Sequence, residues 1–391
     1  MEHKIIKKGI LISFGELFLK SEGVRSNFIK RLINNLRFLL DKNIPGSKIY
    51  FLRDRIFVSA DDLSGVKKIL NNVSGISNIS DGFYSIPPVG GGGLEDIFSF
   101  IKKNYSSWLK EKETFSLRIK TENPGLKAKK NKIIDEIAFL IKRKVNLSNP
   151  DKEINIDIRK NGWLIHFNKE KATGGLPNGS SGKVLVLMSG GIDSPVAGYM
   201  MAKRGAENIW LHFHSFPLVS NASINKIEEL AKVFLNHQAK LKVYFIPFSK
   251  AQIEIKSVAD PKYRVLLYRR LMLKIAEKIM KEENCGAMVT GESLGQVSSQ
   301  TLKNINITQD ATKALILRPL IGMDKEEIIN ISRANNFFDI SIKPQEDCCT
   351  LFVSKGQTAE GDLKRVKEIE KKLNVSKIIR ECLKSFEVRN Y

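Results

Sequence analysis

The spacing of apolar residues changes along the chain, and each spacing predicts a different kind of element. Residues 10–14 form a short apolar run typical of a strand, residues 28–40 carry apolar side chains at helical spacing, and residues 48–59 resemble a hairpin around Arg53-Asp54. A second set follows, with helices predicted at 94–110 and 133–145 and strands at 114–120, 153–158 and 162–167. The first 169 residues are therefore expected to form two small α+β units.

A glycine-rich segment at 174–182 precedes a different arrangement. Beyond it, strands predicted at 184–188, 209–213, 241–246 and 287–290 alternate with helices at 195–203, 224–236 and 263–282. Such alternation is typical of a doubly wound parallel sheet. We therefore expect a multidomain α+β and α/β protein with domains at 1–62, 63–169 and 183–391, joined by a linker at 170–182.

The charge balance favours a polyanionic partner. Lys and Arg number 64 against 42 Asp and Glu, a net charge of +22, and neutralisation of phosphates supplies much of the affinity of proteins for nucleic acids. Charge alone does not decide between RNA, DNA and an anionic membrane, and a general richness in lysine is the alternative explanation. Nine clustered basic residues indicate either a phosphate-contacting face or a solvated surface: Arg118, Lys120, Lys127, Lys129, Lys130, Lys132, Lys142, Arg143 and Lys144.

The cysteine count and the hydropathy point to a reducing, aqueous compartment. Four cysteines in 391 residues are too few for a secreted disulfide framework, and no apolar run approaches the length that spans a membrane. Residues 9–14 are too short for the apolar region of a signal peptide. We expect a cytoplasmic protein that does not associate with membranes.

The apolar run at 184–188 leads into the hexapeptide Ser189-Gly190-Gly191-Ile192-Asp193-Ser194, and a helix is predicted directly after it. Glycines between a strand and a helix let backbone N–H groups surround an anion, and the helix N-terminus adds positive potential. Phosphate is the natural ligand of such a loop. Neither the Gly-x₄-Gly-Lys-Ser/Thr P-loop nor the Gly-x-Gly-x-x-Gly fingerprint occurs in the chain.

Open α/β sheets bind ligands beyond the carboxyl ends of their strands, so residues at or just after the ends of other strands are candidates for the same site. The rings of His212 and Phe213 could pack on an adenine. The alternative is that His212 and His214 have no role in binding, one of them lying in the core and the other on the surface. Glycine at 291 would permit close approach of a base or a ribose.

Three basic residues of the same predicted domain are further candidates for this site. Arg269 and Arg270 are adjacent on a predicted helix and point about 100° apart, so we expect Arg269 to face the ligand and Arg270 to face solvent. Lys325 lies near a predicted helix start, where a cation is unfavourable unless an anion compensates. A phosphate would explain Lys325, and a solvated lysine beside acidic neighbours is the alternative.

The hexapeptide resembles the PP-loop of ATP pyrophosphatases, enzymes that cleave ATP between its α and β phosphates and transfer AMP to a carbonyl oxygen. The resemblance implies ATP and Mg²⁺ as cofactors, with Asp193 helping to position the metal ion. No other metal ligand is assigned. It also implies that four residues hold the departing pyrophosphate: Ser189, Gly190, Gly191 and Ser194.

Residues 184–199, 289–301, 315–328 and 346–350, in this order, resemble the tRNA 4-thiouridine synthetases, the ThiI family of tRNA sulfurtransferases. The resemblance covers essentially the whole chain. It implies an N-terminal ferredoxin-like domain, a THUMP domain that binds tRNA and a PP-loop ATP pyrophosphatase domain at the three domain positions given above. It further implies that Asp193 and Lys325 support adenylation. It also implies that Cys348 is a catalytic residue. The implied ATP contacts are Leu187, Met188, His212, Phe213, Arg269, Gly291 and Gln300.

The chemistry implied by this resemblance is ATP-dependent transfer of sulfur to tRNA. Uracil O4 at position 8 attacks the α-phosphate of ATP, and sulfur from a persulfide then displaces AMP to give 4-thiouridine. The implied partners are tRNA, a cysteine desulfurase or another persulfide donor, and a second copy of the chain in a homodimer. Many members carry the persulfide on a C-terminal rhodanese domain, but the chain ends at Tyr391, too soon after Cys349 for one. Cys348, Cys349 or an external carrier is therefore expected to supply the sulfur, and a role in forming the thiazole of thiamine is in doubt.

The other cysteines and the overall activity leave alternatives. Adjacent cysteines rarely pair, so Cys348 is expected to pair with Cys382 or to stay a thiolate, and Cys285 is expected in the core. An iron–sulfur cluster is the alternative, although no Cys-x-x-Cys occurs.

Two competing functions are considered. One is another PP-loop ligase, which adenylates RNA or a small molecule, and the other is a noncatalytic RNA-binding protein. The basic first 170 residues disfavour a small-molecule ligase, and the intact hexapeptide disfavours a noncatalytic protein.

Overall fold

The computed structural model describes residues 5–19, 21–52, 54–86, 93–159, 162–345, 352 and 357–391. The chain divides into two compact units, Met1–Gly175 and Leu176–Tyr391. The strands of the first unit are β1 (Ile5–Phe14), β2 (Lys48–Leu52), β3 (Arg55–Ser59), β4 (Ile76–Ile86), β5 (Phe115–Thr121), β6 (Lys152–Arg159), β7 (Gly162–His166) and β8 (Glu170–Gly174). Its helices are α1 (Glu22–Asn43), α2 (Leu63–Leu70), α3 (Leu94–Trp108), α4 (Pro124–Ala128) and α5 (Lys130–Leu140).

The strands described in the first unit form one sheet in the order β2-β3-β1-β4-β7-β6-β5, with β8 paired to β4. The centre of the sheet is the long antiparallel pair β1–β4, in which Ile10 faces Asp81 and Ile12 faces Ile79. Helix α2 packs on both of these central strands, whereas α5 packs on β5 at one edge of the sheet. The predicted hairpin is confirmed as the antiparallel pair β2–β3.

The second unit is a doubly wound α/β domain. Its strands are β9 (Lys183–Leu187), β10 (Glu207–His214), β11 (Lys242–Pro247), β12 (Ala287–Val289), β13 (Ile316–Leu317) and β14 (Glu387–Asn390). Its helices are α6 (Asp193–Lys203), α7 (Ala222–Phe234), α8 (Ser249–Val258), α9 (Arg264–Glu282), α10 (Leu302–Gln309), α11 (Lys325–Ala334), α12 (Phe338–Ser341), α13 (Leu363–Glu370) and α14 (Val375–Lys384).

The sheet of the second unit has the strand order β13-β12-β9-β10-β11-β14. All described pairs are parallel except β11–β14. Leu185 belongs to the core cluster on one face of the sheet and Val184 and Val186 to the cluster on the other, which explains the continuous apolar run of β9. The strand order reverses between β9 and β12, and ligands of doubly wound sheets bind at such a switch point.

The predicted mixed fold with a doubly wound sheet is confirmed, but some elements differ from the sequence pattern. Helix α5 ends at Leu140 instead of 145, because the backbone turns extended at Ile141. Strand β4 was not predicted, because Ser, Asn, Asp and Gly residues interrupt its apolar positions. Residues 170–174 of the predicted linker form β8. Within the described ranges, no helix is both long and apolar enough to cross a membrane.

Candidate active site

The hexapeptide joins β9 to α6 and folds around its own hydroxyl groups. The backbone N–H of Ser189 donates to Ser194 Oγ over 3.1 Å, and that of Gly191 donates to Ser189 Oγ over 3.3 Å. Gly190 has a φ of +84°, in the left-handed region that favours glycine. The turn leads directly into α6, which begins at Asp193. The loop and the helix N-terminus together favour an anion.

Asp193 is the point at which three segments of the chain meet. Lys325 Nζ lies 2.5 Å from Asp193 Oδ1, and Gln296 Nε2 donates to Asp193 Oδ2 over 2.9 Å. Lys325 is the first residue of α11, whose start is closed by a capping box between Asp324 and Glu327. Asp193 therefore supplies an anion close to the cation at that helix start.

The loop after β12 packs on the start of α6, and Gly291 makes this packing possible. A Cβ atom at position 291 would lie 2.9 Å from the carbonyl carbon of Asp193 and 2.9 Å from the backbone nitrogen of Ser194. Such distances are shorter than real Cβ contacts, so a side chain would push the loop away from α6. The close approach that this glycine permits is therefore that of the α6 backbone.

Glu292, which follows Gly291, is a buried carboxylate between two arginines. Its Oε1 lies 3.1 Å from Arg269 Nη2, and its Oε2 lies 2.7 Å from Arg318 Nε and accepts a hydrogen bond of 2.9 Å from Thr290 Oγ1. Burial acts to raise the pKa of Glu292, but the two guanidinium groups outweigh it and hold that pKa below its ordinary value. The carboxylate is ionised at neutral pH, so the three charged side chains carry one net positive charge.

Arg269 and Arg270 face different surroundings, as their spacing predicts. Arg269 lines the same cavity as the hexapeptide. Arg270 is buried and pairs with Asp310 at 3.1 Å and with Glu370 at 2.9 Å. The prediction that Arg270 faces solvent is wrong, because helical spacing separates the directions of two side chains but does not show what covers each of them.

His212 is a buried imidazole that ties β10 to β9 and α7. Its Nδ1 lies 2.8 Å from the carbonyl oxygen of Met188, and its Nε2 lies 3.1 Å from Ser223 Oγ. Burial lowers the pKa of His212 to about 4. The ring is therefore neutral near pH 7, and since a carbonyl can only accept, Nδ1 carries the proton. The ring of neighbouring Phe213 packs edge-on against Phe248.

These elements enclose a cavity at the carboxyl ends of β9, β10 and β12. The predicted site residues that line it are Leu187, Met188, Ser189, Asp193, Ser194, His212, Phe213, Arg269, Gly291 and Gln300. Gly190 and Gly191 are in the adjoining loop, and Lys325 reaches the cavity wall through its contact with Asp193. Cys348, like Cys349, lies outside the described residues.

Sequence reasoning missed several polar residues of the cavity wall, namely Ser223, Thr290, Glu292, Thr308, Arg318 and Gln345. Glu292 and Arg318 each follow the end of a strand, so the rule used for His212 could have found them. Ser223 and Gln345 follow no strand of the sheet and carry no comparable signal.

The segment that precedes Cys348 in the sequence is fixed against the glycine loop. Gln345 Nε2 donates to the carbonyl oxygen of Ser189 over 3.0 Å. Lys226, buried on α7, donates from Nζ to the carbonyl oxygen of Ser341 over 3.1 Å and to that of Lys343. Residues 341–345 are therefore held by both α7 and the glycine loop.

Cys285 and Cys382 are core residues of the second unit. Burial raises the pKa of each thiol to about 11. The prediction for Cys285 is confirmed, whereas a buried and protonated Cys382 is a poor partner for thiol–disulfide exchange with Cys348. Among the residues with described positions, no group of three or more His, Cys, Asp and Glu could hold a metal ion.

The nine clustered basic residues belong to the first unit. Arg143 is half-buried, with its guanidinium 5.6 Å from the centre of the Tyr105 ring. Phe139, at the end of α5, has 87% of its surface exposed. An exposed aromatic ring can stack on an RNA base, and exposed cations can contact its phosphates. The exposed basic residues are Arg118, Lys120, Lys127, Lys129, Lys130, Lys132, Lys142 and Lys144.

A doubly wound sheet with a glycine- and serine-rich loop at its switch point defines a nucleotide-binding α/β enzyme, here in one chain with a basic α+β unit. Family models match three parts of the chain. Residues 9–80 match the ThiI ferredoxin-like domain, residues 93–167 the THUMP domain, and residues 179–375 the family described as Thiamine biosynthesis protein (ThiI). The chain belongs to the ThiI family.

Relatives match along almost the whole chain. A probable tRNA sulfurtransferase of Moorella thermoacetica is 37% identical over 387 residues, covering 97% of this chain and 96% of the relative. One of Thermoanaerobacter sp. is 36% identical over 376 residues, covering 95% and 96%. Among solved structures, a 4-thiouridine synthetase in complex with RNA and with bound ATP is 29% identical with a TM-score of 0.88, covering 98% of this chain and 99% of that one.

Proposed function

We propose that this protein is an ATP-dependent tRNA sulfurtransferase that converts the uracil at position 8 of tRNA to 4-thiouridine. The observation that carries the proposal is the similarity, over 98% of the chain, to a 4-thiouridine synthetase solved with RNA and ATP. The chain's own residues support the use of ATP, because the glycine loop, the start of α6 and the cavity meet at the carboxyl ends of parallel strands.

The first step activates the oxygen that is to be replaced. Uracil O4 attacks the α-phosphorus of ATP, the bond from that phosphorus to the bridging oxygen breaks, and pyrophosphate leaves. Backbone N–H groups of the glycine loop and the hydroxyls of Ser189 and Ser194 hold the pyrophosphate, with Gly190 and Gly191 giving the loop its shape. Lys325, held by Asp193, supplies positive charge beside the reacting phosphates, where it stabilises the charge that develops in the transition state.

Mg²⁺ fits the carboxylate of Asp193. Carboxylate and phosphate oxygens are the ligands that Mg²⁺ prefers, and Asp193 lines the cavity beside the glycine loop. When bound, the ion neutralises charge on the departing pyrophosphate. Gln296 and Lys325 fix the direction of the carboxylate through their contacts with its two oxygens.

Seven residues are assigned to ATP itself: Leu187, Met188, His212, Phe213, Arg269, Gly291 and Gln300. Burial keeps the ring of His212 neutral, so the ring contributes shape and not charge, and its Nδ1 proton is donated to the carbonyl oxygen of Met188. Arg269 contributes positive charge, and Leu187 and Met188 contribute apolar surface for a base.

The second step replaces the activated oxygen with sulfur. The terminal sulfur of a persulfide on Cys348 attacks C4 of the base, and AMP leaves with the former O4. A thiolate of the donor protein or of a small reductant then attacks the Cys348 sulfur, which forms a disulfide and leaves the transferred sulfur on the base. We assign this attack to a thiolate of another molecule and not to Cys382, because Cys382 is buried and its pKa is raised.

The partners follow from this chemistry. The exposed cations and Phe139 of the first unit are assigned to tRNA. A cysteine desulfurase or another persulfide donor supplies the sulfur. The homodimer is proposed from the family resemblance and not from the chemistry. We place the reaction in the cytoplasm, where tRNA and reduced thiols occur together.

Two variants test the division of labour between the two steps. Asp193→Ala should abolish tRNA-dependent formation of AMP, whereas Cys348→Ser should retain pyrophosphate release and block persulfide-dependent thiolation. Both products are measured in the same reactions with wild-type protein as the reference. Equal loss of both steps in C348S would contradict the assignment.

A further inference from the structure

Two ion-pair networks start at neighbouring residues of α9. The network of Arg269 contains Glu292 and Arg318, and all three of its members line the cavity. The network of Arg270 contains Asp310 and Glu370, and none of its members does. The same helix therefore carries one network at the cavity wall and one away from it.

Glu292 is held at a fixed place relative to the glycine loop. Gly291 packs on the backbone of Asp193 and Ser194, which sets the distance between the Glu292 loop and α6. Ser293 Oγ donates to the carbonyl oxygen of Met323 over 2.8 Å, so the other side of the loop is tied to the segment that precedes α11. The backbone is therefore anchored on both sides of Glu292, by Gly291 and by Ser293.

Glu292 in turn fixes the planes of two guanidinium groups. Arg269 Nη2 is held by the carboxylate and Arg269 Nη1 donates to the carbonyl oxygen of Ser299 over 3.1 Å. Arg318 Nε is held by the carboxylate and Arg318 Nη1 donates to Gln309 Oε1 over 3.1 Å. Two contacts to each planar fork leave little freedom of rotation. The two cations stay side by side only because an anion lies between them.

We propose that Glu292 is a positioning residue for ATP, which it serves by holding Arg269 and Arg318 against the cavity wall so that they present one net positive charge to the nucleotide. The inference rests on the proposed use of ATP. Loss of the Glu292 charge leaves two unscreened cations that repel each other, and Arg269 loses the group that sets its direction. Binding of ATP should then weaken without a change in sulfur chemistry.

The test compares matched variants of the two networks. Glu292→Gln keeps the size of the side chain but removes its charge and replaces one acceptor oxygen with an amide donor. Glu370→Gln makes the same change to a carboxylate that pairs with Arg270 and Lys274, away from the cavity. The full chain is titrated with α,β-methylene ATP in a calorimeter, so that affinity is read without turnover, and thermal unfolding is measured in parallel.

We expect E292Q to raise the Kd for the ATP analogue about tenfold or more, because charged groups are left unpaired in a partly buried site. E370Q should lower the Tm and leave the Kd within about twofold of wild type. Equal weakening by both variants, or an unchanged Kd in E292Q, would overturn the inference. Failure of the wild-type chain to bind the analogue would instead overturn the proposed use of ATP.

Glu292→Asp provides the measurement where E292Q does not fold. The shorter side chain keeps the negative charge but draws it back by one methylene, so the Kd should rise by a smaller factor than in E292Q, of about threefold. A wild-type Kd in E292D, measured where E292Q is unfolded, would contradict a positioning role that depends on the place of the carboxylate.

Discussion

Lys325 Nζ and Asp193 Oδ1 lie 2.5 Å apart, and this contact joins the first residue of α11 to the first residue of α6. The two residues are 132 positions apart in the sequence. Both helices therefore direct their N-terminal ends toward the same place, where positive potential and a lysine favour an anion. The carboxylate of Asp193 lies between the two helix ends, where it would coordinate a metal ion together with a phosphate oxygen.

Replacement of Lys325 by Met should slow adenylation without unfolding the protein. The ammonium is assigned to the charge that develops on the phosphates, so AMP formation should fall by about 100-fold. The ion pair with Asp193 is partly exposed and contributes little to stability. Lys313→Met, at an exposed lysine of the same unit, is the control. AMP formation by K325M at the rate of the control would contradict the assignment.

Gly291→Ala should separate the β12 loop from α6. The added Cβ would meet the backbone of Asp193 and Ser194, which cannot give way as a flexible side chain can. We expect a loss of about 1–3 kcal/mol in the free energy of unfolding, together with weaker binding of ATP. Gly322→Ala is the matched control, because a Cβ at that position meets nothing within 4 Å. Chemical denaturation of both variants measures the difference, and equal stability would show that the loop packing tolerates a methyl group.

Cys285 and Cys382 should resist alkylation in the folded protein. Burial raises both pKa values to about 11, and at pH 8 about one thiol in a thousand would then be ionised even with full access. Iodoacetamide labelling followed by peptide mass spectrometry should leave both residues unmodified until urea is added. Labelling of Cys382 before unfolding would restore it as a candidate partner of Cys348.

The clustered basic residues of the first unit should set the salt dependence of RNA binding. Replacement of Lys129 and Lys130 by Ala removes two exposed cations, so the slope of log K against log salt should become shallower by about 1.5. The same double change at Lys371 and Lys372, exposed in the second unit, serves as the control. Titration of tRNA at several salt concentrations measures both slopes. An equal change in the two variants would argue against a specific face.

The sequence predicts the glycine loop well because strand, loop and helix are contiguous there, and each has a local pattern. It predicts the residues at strand ends, such as His212 and Gly291, through the rule for ligands of parallel sheets. It does not predict the partners of those residues. Glu292 lies between two arginines that come from a helix and from another strand end, and Arg270 is covered by α10 and α13, so both environments exist only after the chain has folded.

The most direct test of the account is whether the chain puts sulfur into tRNA. The full chain is incubated with ATP, Mg²⁺, a sulfide source and unmodified tRNA, and 4-thiouridine is detected by its near-ultraviolet absorbance and located by nuclease mapping. We predict one thiolated uridine, at position 8, which forms only with ATP and does not form in a tRNA whose uridine 8 is replaced by cytidine. No thiolated base, or thiolation that proceeds without ATP, would contradict the account.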